Sequence, residues 1–178
     1  DNDIFSIKRE NNPVTFIPDI PVYYEELTVW EHLQFIKALY PENSVTVDSL
    51  IREFNLNQHL NKIPLALSKG TLQKLMIALA LLRQYDVLLA DEPTSALDVA
   101  VQRQVVQEML HVRELFGTAI IIVTHDIGVV SAMADTVLVL KDGNKMEYGP
   151  AKEVLEHPQN IYTKELLSAV PKLRRSQN

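Results

Sequence analysis

Two short, nearly uninterrupted apolar runs, Val87–Ala90 and Ala119–Val123, constrain this chain more than any other feature. Runs of that length without polar alternation are expected of strands covered on both faces. A helix pattern, Val101–Phe116, lies between them and stops at Gly117, a residue that accepts the left-handed conformation closing many helices. Parallel strands need a crossover of about this size, so the trio predicts a βαβ unit within a parallel sheet. The first run continues into Asp91-Glu92-Pro93, which puts two adjacent carboxylates at the C-terminal edge of the sheet, where open α/β folds bind ligands. Paired anions there repel unless a cation or a water network compensates. The plainer reading is a solvated acidic pair opening a turn at Pro93.

The flanking sequence supplies the remaining elements. Val14–Ile17 reads as a strand stopped by Pro18 and Pro21. Thr28-Val29-Trp30-Glu31 has the form of a capping box, followed by Val29, Leu33, Ile36 and Tyr40 at helical spacing and ended by Pro41. Val47, Leu50, Ile51 and Phe54 repeat the pattern. A third helix is expected from Ser68 to Arg83, with Leu72, Leu75, Met76, Leu79 and Leu82 on its apolar face. Three helices without an intervening strand predict a helical lobe. Thr136–Leu140 and Lys145–Tyr148, separated by Lys141-Asp142-Gly143-Asn144, read as a hairpin. Glu153–His157 and Tyr162–Val170 read as closing helices, and Arg174–Asn178 as a frayed end. The expected fold class is α/β, a parallel core interrupted by a helical lobe.

Composition narrows the function. With 178 residues, 47% hydrophobic and 22% charged, the chain can bury a sizeable core. A net charge of −6 argues against nucleic acid held on a broad basic surface. No cysteine is present, which excludes disulfides, thiolate metal sites and a cysteine nucleophile. The longest apolar runs fall far short of the ~20 residues that span a bilayer, and Asp1-Asn2-Asp3-Ile4-Phe5 does not read as a signal peptide. A cytoplasmic protein is the resulting expectation.

Two more motifs carry chemistry. The second apolar run is followed by Thr124-His125-Asp126, so in a parallel sheet His125 emerges on the edge that carries Asp91 and Glu92. An imidazole there can reach a phosphate or orient an attacking water; a lone strand-end histidine satisfied by local backbone is the plainer alternative. Leu67-Ser68-Lys69-Gly70-Thr71 opens the third helix. Ser68 suits the N-cap, Gly70 would let a phosphate approach the first-turn amides, and Lys69 adds positive charge. An ordinary capped helix is the plain reading of that motif alone.

Taken in order, these residues resemble the ATP-binding-cassette (ABC) ATPases. Leu67–Thr71 resembles their signature, Val87–Glu92 the Walker B strand, Ser95-Ala96-Leu97-Asp98 the D-loop, and His125 the switch histidine. Phe16-Ile17-Pro18-Asp19 is similar to their Q-loop region, with Asp19 in place of glutamine. The resemblance implies a P-loop-NTPase-like core with an inserted helical subdomain, and ATP and Mg²⁺ as cofactors. It assigns Asp91 to Mg²⁺, Glu92 to the general base and His125 to γ-phosphate sensing. Ser68, Lys69 and Gly70 would face a partner's nucleotide, Asp98 would couple two sites across a dimer, and Asp19 would reach Mg²⁺ or its water. The implied partners are a second ABC ATPase subunit and transmembrane transporter subunits at the inner face of a membrane, with no nucleic acid. Residues 1–21 would be core remnant and Q-loop region, 22–83 the helical subdomain, 84–149 the Walker B, D-loop and switch core, and 150–178 a C-terminal helical extension.

The sequence also departs from that pattern. Lys69 and Thr71 replace a glycine and a glutamine of the signature. Only five glycines occur, none before residue 70, and no Gly-Lys pair exists, so no window matches the phosphate-binding loop G-x-x-x-x-G-K-S/T. The chain therefore resembles a cassette without the N-terminal portion that bears this loop and several strands. Alone, it is expected to bind ATP weakly and not to hydrolyse it. The stretch Tyr148–Pro171 resembles peptide and nickel importer ATPases, and the N-terminal half resembles exporter-type cassettes, a mixture expected of a divergent member or a chimera. The alternative function is a non-catalytic module that offers its signature face to a complete partner.

Overall fold

A computed structural model describes residues 13–169 apart from 84 and 96. The expected frayed end at 174–178, the N-terminal residues Asp1–Phe5 and the end of the last helix at Val170 lie outside the described residues. The chain divides into two compact units between Val123 and Thr124.

In the first unit, β1 (Val14–Ile17), β2 (Val87–Asp91) and β3 (Ala119–Val123) form a parallel sheet in the order β1-β2-β3. The register sets Val14 beside Val87, and Asp91 beside Val123. Helix α4 (Val99–Phe116) makes the β2-to-β3 crossover, two residues longer at its start than its apolar pattern indicates. It ends as expected on Gly117, which is left-handed at φ 62°. Strand side chains alternate between faces. Thr15, Ile17, Leu88 and Ala90 are buried on one face, whereas Phe16, Ile121 and Val123 on the other are 49%, 54% and 52% exposed. The expectation of two covered faces is thus corrected for β3. Its apolar run fits a buried strand, but among the described residues it pairs only with β2, and its outward side chains stay open.

The helical lobe contains α1 (Val29–Leu39), α2 (Val47–Glu53), two single 3-10 turns at 57–59 and 64–66, and α3 (Lys69–Leu81). The capping box forms: Glu31 N–H donates to Thr28 Oγ1 and Thr28 N–H to Glu31 Oε2. Val29, Leu33, Leu50, Phe54, Leu56, Leu75 and Ile77 make the core. Asn43 Nδ2 donates to the Leu81 and Arg83 carbonyls at 3.0 and 2.8 Å, which ties the α1–α2 link to the end of α3. Helix α3 departs from the single apolar face expected of it. It is buried nearly all round, Gln73 and Lys74 included, while Leu72 and Leu79 are only half-buried.

The second unit contains α5 (Ile127–Met133), the antiparallel hairpin β4 (Thr136–Lys141) and β5 (Asn144–Pro150), α6 (Ala151–Glu156) and α7 (Ile161–Ser168). Asp142 and Gly143, at φ 48° and 76°, form the two-residue turn, in which both central residues are left-handed. Both strands run longer than their apolar patterns. Helix α5 is an addition to the expected elements; its sequence signal is the cap Asp126, which accepts from the Gly128 and Val129 amides.

Candidate nucleotide site

The two carboxylates sit where the strand pattern puts them. Asp91 is the last residue of β2. Glu92 leaves the strand at φ 45°, a left-handed conformation that costs a non-glycine residue roughly 1 kcal/mol. Its N–H donates to the Val123 carbonyl at 2.8 Å, so the turn stays anchored to β3 after strand pairing ends. Ser95 N–H then donates to the Glu92 carbonyl at 3.0 Å, closing a turn over Pro93. The turn of the plain reading and the strand-end placement of the carboxylates are therefore both present. Residues held in such sparsely populated conformations cluster at active sites and ligand clamps.

Asp98 caps α4, its Oδ1 accepting from the Ala100 and Val101 amides at 3.0 Å each. Gln102 Nε2 donates to Thr94 Oγ1 at 3.3 Å, which joins the first turn of α4 to the turn after Glu92. Ser95 Oγ donates to Asp19 Oδ1 at 2.5 Å. Asp19 thereby meets the segment before Asp98, a contact between residues 76 apart that neither motif announces.

Ser68 caps α3 as expected, its Oγ accepting from Thr71 N–H at 3.2 Å. Ser68 and Lys69 are exposed, but Gly70 is buried. A Cβ at Gly70 would lie 2.3 Å from Val101 Cγ1. Val101 of α4 fills the side of Gly70 on which a Cβ would project, so close helix packing itself requires this glycine.

His125 belongs to the second unit and follows β3 by two residues. It is exposed and lies between Thr124, whose Oγ1 accepts from Asp126 N–H at 3.1 Å, and the cap of α5.

A cavity of about 450 Å³ opens beside the Asp19 segment, lined by residues that include Phe16, Val22, Tyr24, Phe35, Leu39 and Met76. His32 shapes its wall: Nδ1 donates to the Thr28 carbonyl at 2.8 Å, and Nε2 accepts from Tyr24 N–H at 3.1 Å. Those two bonds fix one neutral tautomer. Tyr24 meets Phe35 edge-on at 5.5 Å. Sequence reasoning names neither His32 nor this cavity. Among the described residues, no helix is long and apolar enough to cross a membrane.

The profile of a family described as "ABC transporter" matches residues 2–95. The oligopeptide transport ATP-binding protein OppD of Salmonella typhimurium is 42% identical over 142 residues, 80% of this chain and 42% of that protein. The metal-staphylopine import system ATP-binding protein CntD of Staphylococcus aureus is 43% identical over 114 residues, 64% of this chain and 42% of that protein. An inward-facing structure of a metal-chelate-type ABC transporter shares the fold, with a TM-score of 0.72 at 22% identity over 89% of this chain and 64% of that one. The matched region is less than half the length of the OppD and CntD relatives. The chain belongs to the ABC transporter family.

Proposed function

We propose that this chain is the ATP-binding and ATP-hydrolysing part of a transporter that moves a peptide or a chelated metal across a membrane. The observation that carries this reading is the end of β2, where Asp91 and the left-handed Glu92 stand together on the C-terminal edge of a parallel sheet. Two adjacent carboxylates suit Mg²⁺, which is usually held by one or two carboxylates together with substrate phosphates. Asp91 is the metal ligand in this reading. Mg²⁺ held there would supply charge neutralisation at the phosphates. Glu92 takes a proton from the attacking water, and His125 contacts the terminal phosphate. Ser68, Lys69 and Gly70 face the nucleotide of a partner ATPase subunit, and Asp98 links the two sites. Asp19 would reach Mg²⁺ or its water, and its segment would take part in docking on the transmembrane subunits. Transmembrane subunits would seat on the helical lobe at the aromatic cavity beside it. The names of the OppD and CntD relatives support the peptide and metal classes of cargo.

The competing reading, a non-catalytic module offering its signature face, draws on the absence of a Gly-Lys pair from these 178 residues. Phosphate release in a mixture with a complete partner ATPase subunit separates the two. A loss of about 10²-fold or more with Glu92→Gln supports the catalytic reading. Loss with Ser68→Ala while Glu92→Gln has no effect assigns the chain to the interaction module.

A further inference from the structure

We infer that α3 and α4 are interlocked as one body by two contacts, Gly70 with Val101 and Lys74 with Glu108, which makes these four residues positioning residues for Ser68 and Asp98. The first contact is steric. A Cβ at Gly70 would meet Val101 Cγ1 at 2.3 Å, whereas Val101 Cβ stands at 3.6 Å, an ordinary van der Waals distance. One turn further along α3, Lys74 Nζ lies 3.0 Å from Glu108 Oε1, with the side chains 10% and 9% exposed. The contacts advance four residues on α3 and seven on α4, so the two helices run in the same sense and present their N-termini together. Those N-termini are capped by Ser68 and Asp98.

The ion pair is more than incidental glue. Burial pushes the Glu108 carboxyl up from its ordinary value despite the nearby Lys74 ammonium, so desolvation outweighs their attraction. A buried pair of that kind is better explained as fixing register than as adding stability. It rejects sliding of one helix along the other, because a displaced Lys74 or Glu108 would be a buried charge without its partner.

The inference rests on the reading of Ser68 and Asp98 as nucleotide-facing and dimer-coupling residues, but its test needs neither nucleotide nor partner. The chain has no cysteine, so nitroxides on Lys69→Cys and Val99→Cys report the spacing of the two N-termini through dipolar broadening. In the full chain carrying both labels, Gly70→Ala should weaken the broadening and lower the melting temperature by about 2–12 °C. Adding Val101→Ala should restore at least half of both changes. Reversing either Lys74→Glu or Glu108→Lys alone should also weaken the broadening, and the double reversal should recover it. Unchanged broadening in Gly70→Ala, or no recovery with Val101→Ala, overturns the inference. Should Gly70→Ala fail to fold, a folded Gly70→Ala/Val101→Ala double variant supports it and an unfolded one overturns it. Absence of Glu92-dependent phosphate release from a mixture with a complete partner subunit, with the interlock intact, would instead count against the proposed function alone.

Discussion

The backbone N–H of Glu92 donates to the carbonyl of Val123 at 2.8 Å while Glu92 itself is left-handed at φ 45°. Strand β2 thus ends in a strained residue that is hydrogen-bonded to the neighbouring strand. The strain belongs to the backbone, so it separates what the carboxylate does from what the fold tolerates. Glu92→Gln keeps shape and conformational preference, and its melting temperature should stay within about 2 °C of the parent. Glu92→Val places a β-branched side chain at positive φ and should cost about 1–2 kcal/mol. Denaturant unfolding of the three proteins checks this. Equal stability of the Val and Gln variants would show that the turn has relaxed to another conformation.

Glu147 gives the second unit one acid-sensitive contact. Its carboxylate accepts from the amides of Gln159 and Asn160 at 2.8 and 3.2 Å, and those backbone bonds hold its pKa below the ordinary 4.5. A lowered folded-state pKa means that the stabilisation is present above pH 4.5 and is lost as pH falls through the folded value. Exchange of the Gln159 and Asn160 amide hydrogens should accelerate on acidification from pH 5 toward pH 3, beyond the intrinsic change in rate. Glu147→Gln should remove most of that extra acceleration; an unaltered profile would move the titration to another group.

How much of this was legible in the sequence depended on whether the signal was local. The capping box at Thr28, the cap at Ser68, the stop at Gly117 and the Asp142-Gly143 turn are each set by a few adjacent residues, and all of them form. The β2–α4–β3 unit followed from apolar runs of the right length. Contacts between distant residues were not legible. Lys74 and Glu108 sit 34 positions apart on separate helices, and nothing in either helix pattern marks them as partners. The packing of Gly70 against Val101 is likewise invisible in the residues around either one. The open face of β3 escaped for a related reason. A run of isoleucines records a preference for burial, and other elements decide whether the burial occurs.

That open face predicts association. Phe16, Ile121 and Val123 share one side of the sheet and are about half exposed, and β3 has strand pairing on one side only among the described residues. Exposed apolar strand edges favour pairing with a further chain. Sedimentation velocity should show species larger than a monomer that grow with concentration. An Ile121→Lys/Val123→Thr variant should shift the distribution toward monomer. A monodisperse monomer at every concentration would sink this prediction.

The Lys74–Glu108 pair should behave asymmetrically when it is dismantled. Lys74→Met alone leaves the Glu108 carboxylate buried without its cation, a change that costs on the order of 3–5 kcal/mol. Replacing both, as Lys74→Met/Glu108→Leu, removes two desolvated charges at once and should recover most of that loss. The pH dependence gives a second handle. Burial raises the folded-state pKa of Glu108 above 4.5, so its contribution to stability is fully present below pH 4.5 and is lost as pH rises through the folded value. The lysine variant removes the ammonium that favours the carboxylate, so it should extend that loss to higher pH, while the double variant should abolish it. Urea unfolding of the three proteins between pH 4 and pH 8 measures both effects. Additive single and double losses with parallel pH profiles would show that the two side chains do not interact.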